Sequence, residues 1–258
     1  MDSTSLIPCY NNHRKNVNTT GLNQLMSDKN HWREAVLDSI DVEAWEQFAD
    51  HYGKTLELDE GPKSKNVSTR HETNYFKYFD LDEWIHYHVN VAMSLGLHKR
   101  EPMTIMDLGC GSGILCKVLK TMGHDARGCD IFSAMYVGMA RVLKVEVTPF
   151  VIEAFKAFDA NFSQYDLITA TSTKFDQPEF SFHGKPSWGE KEWRFFLHNC
   201  GQHLNEGGEV YMKLNKQPDD SLYADEATKA LFHGVARAVD ENAGHLFDRD
   251  ALLALETN

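Results

Sequence analysis

No window of this 258-residue chain approaches the 18 or so apolar residues that a membrane span requires. The opening residues, Met1 to Pro8, lack a basic stretch followed by an apolar run, so no secretory signal is expected and the expected setting is the cytoplasm. Cysteine is sparse. Cys9, Cys110, Cys116, Cys129 and Cys200 make five, an odd number with no repeated C-x-x-C spacing. Neither a disulfide framework nor a zinc site is suggested. The histidines also lack metal-ligand spacing: His86 and His88 are two apart on a helical stretch and point different ways, and His198 and His203 are five apart. A basic face is missing as well. The formal net charge is -12, and the densest basic patch, Lys63, Lys65 and Arg70, reads as a solvated turn. A protein that grips a nucleic-acid backbone normally shows a basic face, so a small or neutral substrate is expected in place of RNA or DNA.

What is present is enough apolar residue, 42% with five tryptophans, for one large α/β domain plus an appendage. The most informative stretch is Thr104 to Cys116. A short apolar run, Ile105 to Leu108, is interrupted by one acid, Asp107, and is followed by Gly109, Gly111 and Gly113. Leu115, Val118, Leu119 and Met122 then recur at helical spacing, and Gly123 stops the helix. That is strand, glycine turn, helix. Glycine permits positive φ and leaves no Cβ to hold a ligand away from the main chain. A second strand, Ala126 to Cys129, ends in Asp130, 21 residues beyond Gly109, where an acid suits the two hydroxyls of a ribose. A dinucleotide fingerprint needs glycine at its sixth position, which here is Ile114, so that pattern fails.

The pattern Asp-x-Gly-x-Gly-x-Gly, with Asp130 in place, instead resembles motif I of the class I S-adenosylmethionine-dependent methyltransferases. The resemblance covers roughly residues 75 to 258 and is most specific in its first third. It implies a doubly wound, mostly parallel sheet with an antiparallel edge, and S-adenosyl-L-methionine as cofactor. It further implies that Asp107, Gly109, Cys110, Gly111 and Gly113 form the cofactor turn. Asp130 and Ile131 would meet the ribose side, and Glu153 with Ala154 the adenine. Thr171, at the exit of the fourth strand, would lie beside the sulfonium, and Arg70 or Tyr75 would hold the methionine carboxylate. Cys110 reads as packing within the turn. Methyl transfer needs a base only if the acceptor loses a proton during attack; His183, in an aromatic-rich segment from Phe175 to Ser187, is the candidate. No metal is expected.

Along the chain, residues 1 to about 27 read as a tail or a loop that orders on binding, and His31 to His51 as an amphipathic helix carrying Trp32, Val36, Ile40, Trp45 and Phe48, with Asp41 capping a further segment. Glu57 to Thr69 reads as a linker. Residues 1–74 thus form an N-terminal helical extension, and 75–258 the cofactor-binding domain. Asp80 and Glu83 form a capping-box pair ahead of Trp84, Tyr87, Val91 and Leu95, and Gly96 ends that helix. Phe132 to Leu143 is a helix whose Met135, Met139 and Leu143 belong to the core. Phe150 to Phe155 is the expected third strand, with Pro149 at its start, and Tyr165 to Ala170 the fourth, with Asp166 at its beginning. Ser187 and Glu190 cap a helix carrying Trp193, Phe196, Leu197, Cys200 and Leu204; Gly207-Gly208 ends it. Glu209 to Leu214 is the fifth strand, Leu222 to Val239 a helix, and Leu246-Phe247 and Leu252 to Leu255 the candidates for the last strands.

The expected activity is methyl transfer to a small molecule. Enzymes that methylate bases and glutamine amides share an Asn/Asp-Pro-Pro-Tyr/Phe loop after the fourth strand, where this chain has Thr171-Ser-Thr-Lys174. A nucleic-acid or protein methyltransferase of the same fold, and a non-catalytic cofactor-binding module, are the alternatives.

Overall fold

The computed structural model describes residues 19–60, 79–159, 162–171, 173, 175, 188–216, 221–239 and 244–256. A seven-stranded sheet crosses the molecule: β1 (Thr104–Leu108), β2 (Asp125–Asp130), β3 (Val147–Pro149), β4 (Tyr165–Thr171), β5 (Leu204–Lys213), β6 (Ala238–Val239) and β7 (Gly244–Asp248). Their order is β3-β2-β1-β4-β5-β7-β6. The first five are parallel, β7 runs antiparallel to β5, and β6 antiparallel to β7. This is the doubly wound, mostly parallel sheet with an antiparallel edge that the resemblance implied.

Among the described residues eight α-helices accompany the strands: α1 (Thr19–Asp38), α2 (Val42–Glu60), α3 (Leu81–Ser94), α4 (Ile114–Thr121), α5 (Ala134–Leu143), α6 (Glu190–Gln202), α7 (Glu226–Val235) and α8 (Arg249–Leu253). They bury the sheet on both faces, and alternation along the strands sorts residues between two cores. Ile105, Ala126, Leu167 and Tyr211 join the first core with residues of α1 to α5. Met106, Leu108, Ile168, Ala170, Val210 and Met212 join the second with residues of α6 to α8. Asp166 ties the starts of three parallel strands together, accepting from the Thr104 N–H (2.7 Å), Thr104 Oγ1 (2.8 Å) and Asn205 Nδ2 (2.7 Å).

Several expected boundaries move. Helix begins at Thr19, inside the expected tail, and continues to Glu60, inside the expected linker; it is broken at Ser39–Asp41, where Asp41 Oδ1 accepts from the Ala44 N–H at 2.9 Å. The buried face of α3 is Ile85, Val89 and Ala92 with Leu81, Val91 and Met93, whereas Trp84 and Tyr87 are half-buried; Asp80 caps it by accepting from the Glu83 N–H at 3.1 Å. The third strand is Val147–Pro149, with Pro149 at its end. The apolar run that followed was expected to be that strand, but Phe150, Ile152 and Ala154 are a loop packed onto the second core. Pro149 is tolerated because β3 is an edge strand.

Gly207 and Gly208 lie inside β5 and do not stop a helix. Gly207 has φ +73°, and a Cβ on Gly208 would come within 3.1 Å of the Tyr165 carbonyl, so the pair makes room for the register shift between Tyr165 and Leu167. At the start of α6 the cap is Gly189, whose N–H donates to Glu192 Oε2 (3.1 Å); the expected Ser187–Glu190 box rests on Ser187, which lies outside the described residues. Of the Leu222–Val239 stretch, only Glu226–Val235 is helix, capped by Asp225, and its end supplies β6. Leu252 and Leu255 bury themselves from and just beyond α8, so no strand forms there.

The N-terminal helices share the first core: Val36, Ile40 and Trp45 are buried in it, and α2 packs on α5. Contact there depends on Gly138, because a Cβ at that position would stand 2.3 Å from the Phe48 ring. Glycine to alanine inside a helix ordinarily stabilises by about 1 kcal/mol. Gly138→Ala should instead destabilise, and the sign should revert in a Phe48→Ala background, as read by urea unfolding of the four members of that cycle.

Candidate functional site

In an open parallel sheet, ligands sit outside the carboxyl ends of the strands where the strand order reverses. Here that point lies between β1 and β4, and the glycine turn leaves β1 beside it. Gly109, Gly111 and Gly113 all have positive φ, at +69°, +55° and +79°. Their missing side chains serve different ends. A Cβ on Gly109 would stand 2.5 Å from Thr173, and one on Gly113 would stand 3.0 Å from Val145. Those two glycines make room for protein. Gly111 meets only the Tyr136 ring, at 3.8 Å, and is the member of the turn open to a ligand.

Asp130 holds the turn in place. The Gly111 N–H donates to its Oδ2 at 2.6 Å, and the Ile131 N–H to its Oδ1 at 2.7 Å. Burial pushes this carboxyl up from its ordinary value, and the two N–H donors oppose that shift. Each oxygen keeps a second lone pair for a ligand hydroxyl. Exposed apolar side chains follow both β2 and β3: Ile131 and Phe132 are 57% and 74% exposed, and Val151 and Phe155 are 44% and 55% exposed. Phe155 also holds φ +59°, a left-handed conformation uncommon for a bulky residue, with its ring packed edge-on against Phe195 of α6.

Asp107 lies deeper, 1% exposed, and pairs in register with Thr169 across β1 and β4. The Thr169 hydroxyl donates to Asp107 Oδ1 at 2.7 Å. Burial, assisted by the nearby Asp130 charge and opposed by Thr169, pushes Asp107 up to about 7. Cys110 is half-buried in the turn. Its neighbour Cys116, then burial and the Asp107 and Asp130 charges, hold its thiol well above the usual range, as suits a packing residue and not a nucleophile.

Of the remaining expected site residues, Thr171 is buried at the end of β4. Glu153 lies four residues past β3 with its carboxylate taken up by Lys156 Nζ at 2.7 Å, and Ala154 packs on the second core. Arg70, Tyr75 and His183 lie outside the described residues. Thr173 was missed by sequence reasoning: its hydroxyl donates to the Leu108 carbonyl at 2.7 Å and its side chain fills the space over Gly109. Its place two residues past the fourth strand was the available signal. Among the described residues no cluster of three or more His, Cys, Asp or Glu could hold a metal, and no helix is long and apolar enough to cross a membrane.

No family model matches the chain, and no curated protein matches it by sequence. Solved structures do. An amino pentose methyltransferase from Micromonospora echinaspora, solved with S-adenosylmethionine, is 20% identical over 54% of this chain and 53% of its own, with a TM-score of 0.40. An S-adenosylmethionine-dependent methyltransferase from Clostridium acetobutylicum is 16% identical over 64% of this chain and 58% of its own, with a TM-score of 0.37. A 16S rRNA methyltransferase from T. thermophilus, in complex with S-adenosylmethionine and guanosine, is 16% identical over 64% and 42%, with a TM-score of 0.42. The chain thus spans about half the length of the solved structures it matches.

The Asp107 geometry has a consequence for stability. Its folded-state pKa of about 7 exceeds the unfolded 3.8, so folding favours the protonated form. The associated stability is complete below pH 4 and is lost as pH rises through about 7, by at most about 1.4 kcal/mol per pH unit. Asp107→Asn keeps an acceptor for Thr169 and carries no charge. Urea unfolding should therefore show the variant gaining on the wild type from pH 5 to pH 8. A difference that stays constant over this range would mean that Asp107 is ionised in the fold.

Proposed function

We propose that this chain binds S-adenosyl-L-methionine and transfers its methyl group to a small-molecule acceptor. The observation that carries this reading is the open Gly111 position with the Asp130 carboxylate bound to its N–H, at the point where the strand order reverses. The residues present fit the cofactor's chemistry. Gly111 lets a ligand approach the main chain, and Asp130 has acceptor capacity for two neighbouring ribose hydroxyls. The exposed Ile131 and Phe132 after β2, and Val151 and Phe155 after β3, offer apolar surface for a planar base.

The cofactor, when bound, supplies an electrophilic methyl group on a sulfonium whose departure leaves a neutral thioether. The chain's own work is then to orient: the glycine turn and Asp130 hold the nucleoside end, and Thr171 borders the cleft at the end of β4. The net charge of -12 supports a small acceptor over a nucleic acid.

Calorimetric titration tests this directly. S-adenosylmethionine and its demethylated product should bind, and NAD should give no heat. Gly111→Val should abolish binding while the protein stays folded by circular dichroism, because a branched side chain then stands in the turn at a φ of +55°. A variant that binds as well as the wild type, or a wild type that prefers NAD, would overturn the reading.

A further inference from the structure

Beyond the glycine turn, toward β5, the same edge of the sheet carries a second concavity. A cavity of about 270 Å³ is lined by Glu83, Trp84 and Tyr87 of α3, by Lys213 at the end of β5 and by Leu214, Asn215 and Lys216 just beyond it. Its volume is near the lower limit for small-molecule sites. Lys213 pairs in register with Thr171. Its ammonium stands 4.8 Å from the centroid of the Tyr87 ring and forms no ion pair with a described carboxylate. A half-buried cation that has an aromatic ring for its neighbour and no carboxylate paired with it among the described residues is a site for an anion. The ring next to it adds no charge. Burial, then the Lys213 charge, lowers His88 to about 3, so this imidazole is neutral at ordinary pH. Glu83 sits at the exposed rim of the cavity.

The cavity is wired to the turn. Asn215 Nδ2 donates to the Thr173 carbonyl at 3.2 Å, and Thr173 Oγ1 donates to the carbonyl of Leu108, the residue before Gly109. On the methyl-transfer reading Asp130, at the end of β2, would hold the nucleoside on the β2–β3 side, which leaves the β4–β5 side for the acceptor.

We propose that this cavity seats the methyl acceptor and that the acceptor is a small aromatic carboxylate, its ring against Trp84 and Tyr87 and its carboxylate on Lys213 Nζ. The proposal rests on the methyl-transfer reading. In the reaction a lone pair on the acceptor's nucleophilic atom forms the bond to the methyl carbon. The carbon–sulfur bond breaks with its electron pair going to sulfur, and any proton on the acceptor atom passes to solvent.

The test is calorimetric titration of the full chain with 4-hydroxybenzoate and its uncharged counterpart 4-hydroxybenzamide, extended to cinnamate and indole-3-acetate. At least one carboxylate should bind, and 4-hydroxybenzoate on the order of tenfold tighter than the amide, as expected for a charge-assisted hydrogen bond. Lys213→Met should erase that preference, and Lys213→Arg should retain most of it. The proposal is overturned if a folded wild type binds none of the three carboxylates, if acid and amide bind alike, or if the preference survives in Lys213→Met. Should Lys213→Met fail to fold, the acid–amide comparison in the wild type and in Lys213→Arg still decides. A chain that binds S-adenosylmethionine and no carboxylate keeps the methyl-transfer reading and loses this one. A chain that binds the carboxylate at Lys213 and no S-adenosylmethionine keeps the anion site and loses the acceptor role.

Discussion

One carboxylate joins the two loops on which the candidate site is built. Asp130 accepts the N–H of Gly111 from the turn after β1 and the N–H of Ile131 from its own loop after β2. Neither loop has regular secondary structure to define its path, so these bonds set the separation between turn and acid. They also satisfy donors that would otherwise face a partly buried surface unpaired. The bond to Gly111 requires the left-handed turn, and the turn in turn requires glycine. A small change in either partner therefore moves both.

The rest of the cleft follows from strand alternation. Asp107, Thr169 and Lys213 share the face of the sheet that carries Ile105, Leu167 and Tyr211, the face covered by α3 and α4. Asp107 is thereby sealed under helices and made harder to ionise, whereas Lys213, nearer the edge, reaches a cavity beneath Tyr87. The N-terminal helices reinforce this arrangement, because Trp45 of α2 donates its indole N–H to the Phe79 carbonyl just before α3 (3.1 Å). The extension thus supports the helix that lines the second concavity.

Much of this was legible before any coordinates. The strand–turn–helix at Thr104 to Gly123, the acid at Asp130, the methionine stripe of α5 and the Asp80 cap all lie where local pattern put them. Local signals work there because propensity, capping and burial agree. They misled where one signal has two physical uses. Gly207-Gly208 could stop a helix or relax a strand, and the choice fell to Tyr165 on the neighbouring strand. Phe150, Ile152 and Ala154 could be a buried strand or an apolar loop, and the aromatic cluster with Phe158 and Phe162 took them.

The glycines show the division most clearly. Residue spacing alone showed that the backbone is free to take positive φ at three positions between β1 and α4, because glycine permits that conformation. It could not say which glycine faces a ligand. That depends on Thr173, 64 residues after Gly109, and on Val145, 32 residues after Gly113, side chains brought against the turn only when β3 and β4 take their places in the sheet. The same holds for Lys213, an unremarked residue in a strand until α3 sets Tyr87 above it. Local conformation is set by neighbours in the chain, whereas free space and unpaired charge are set by what the fold brings alongside.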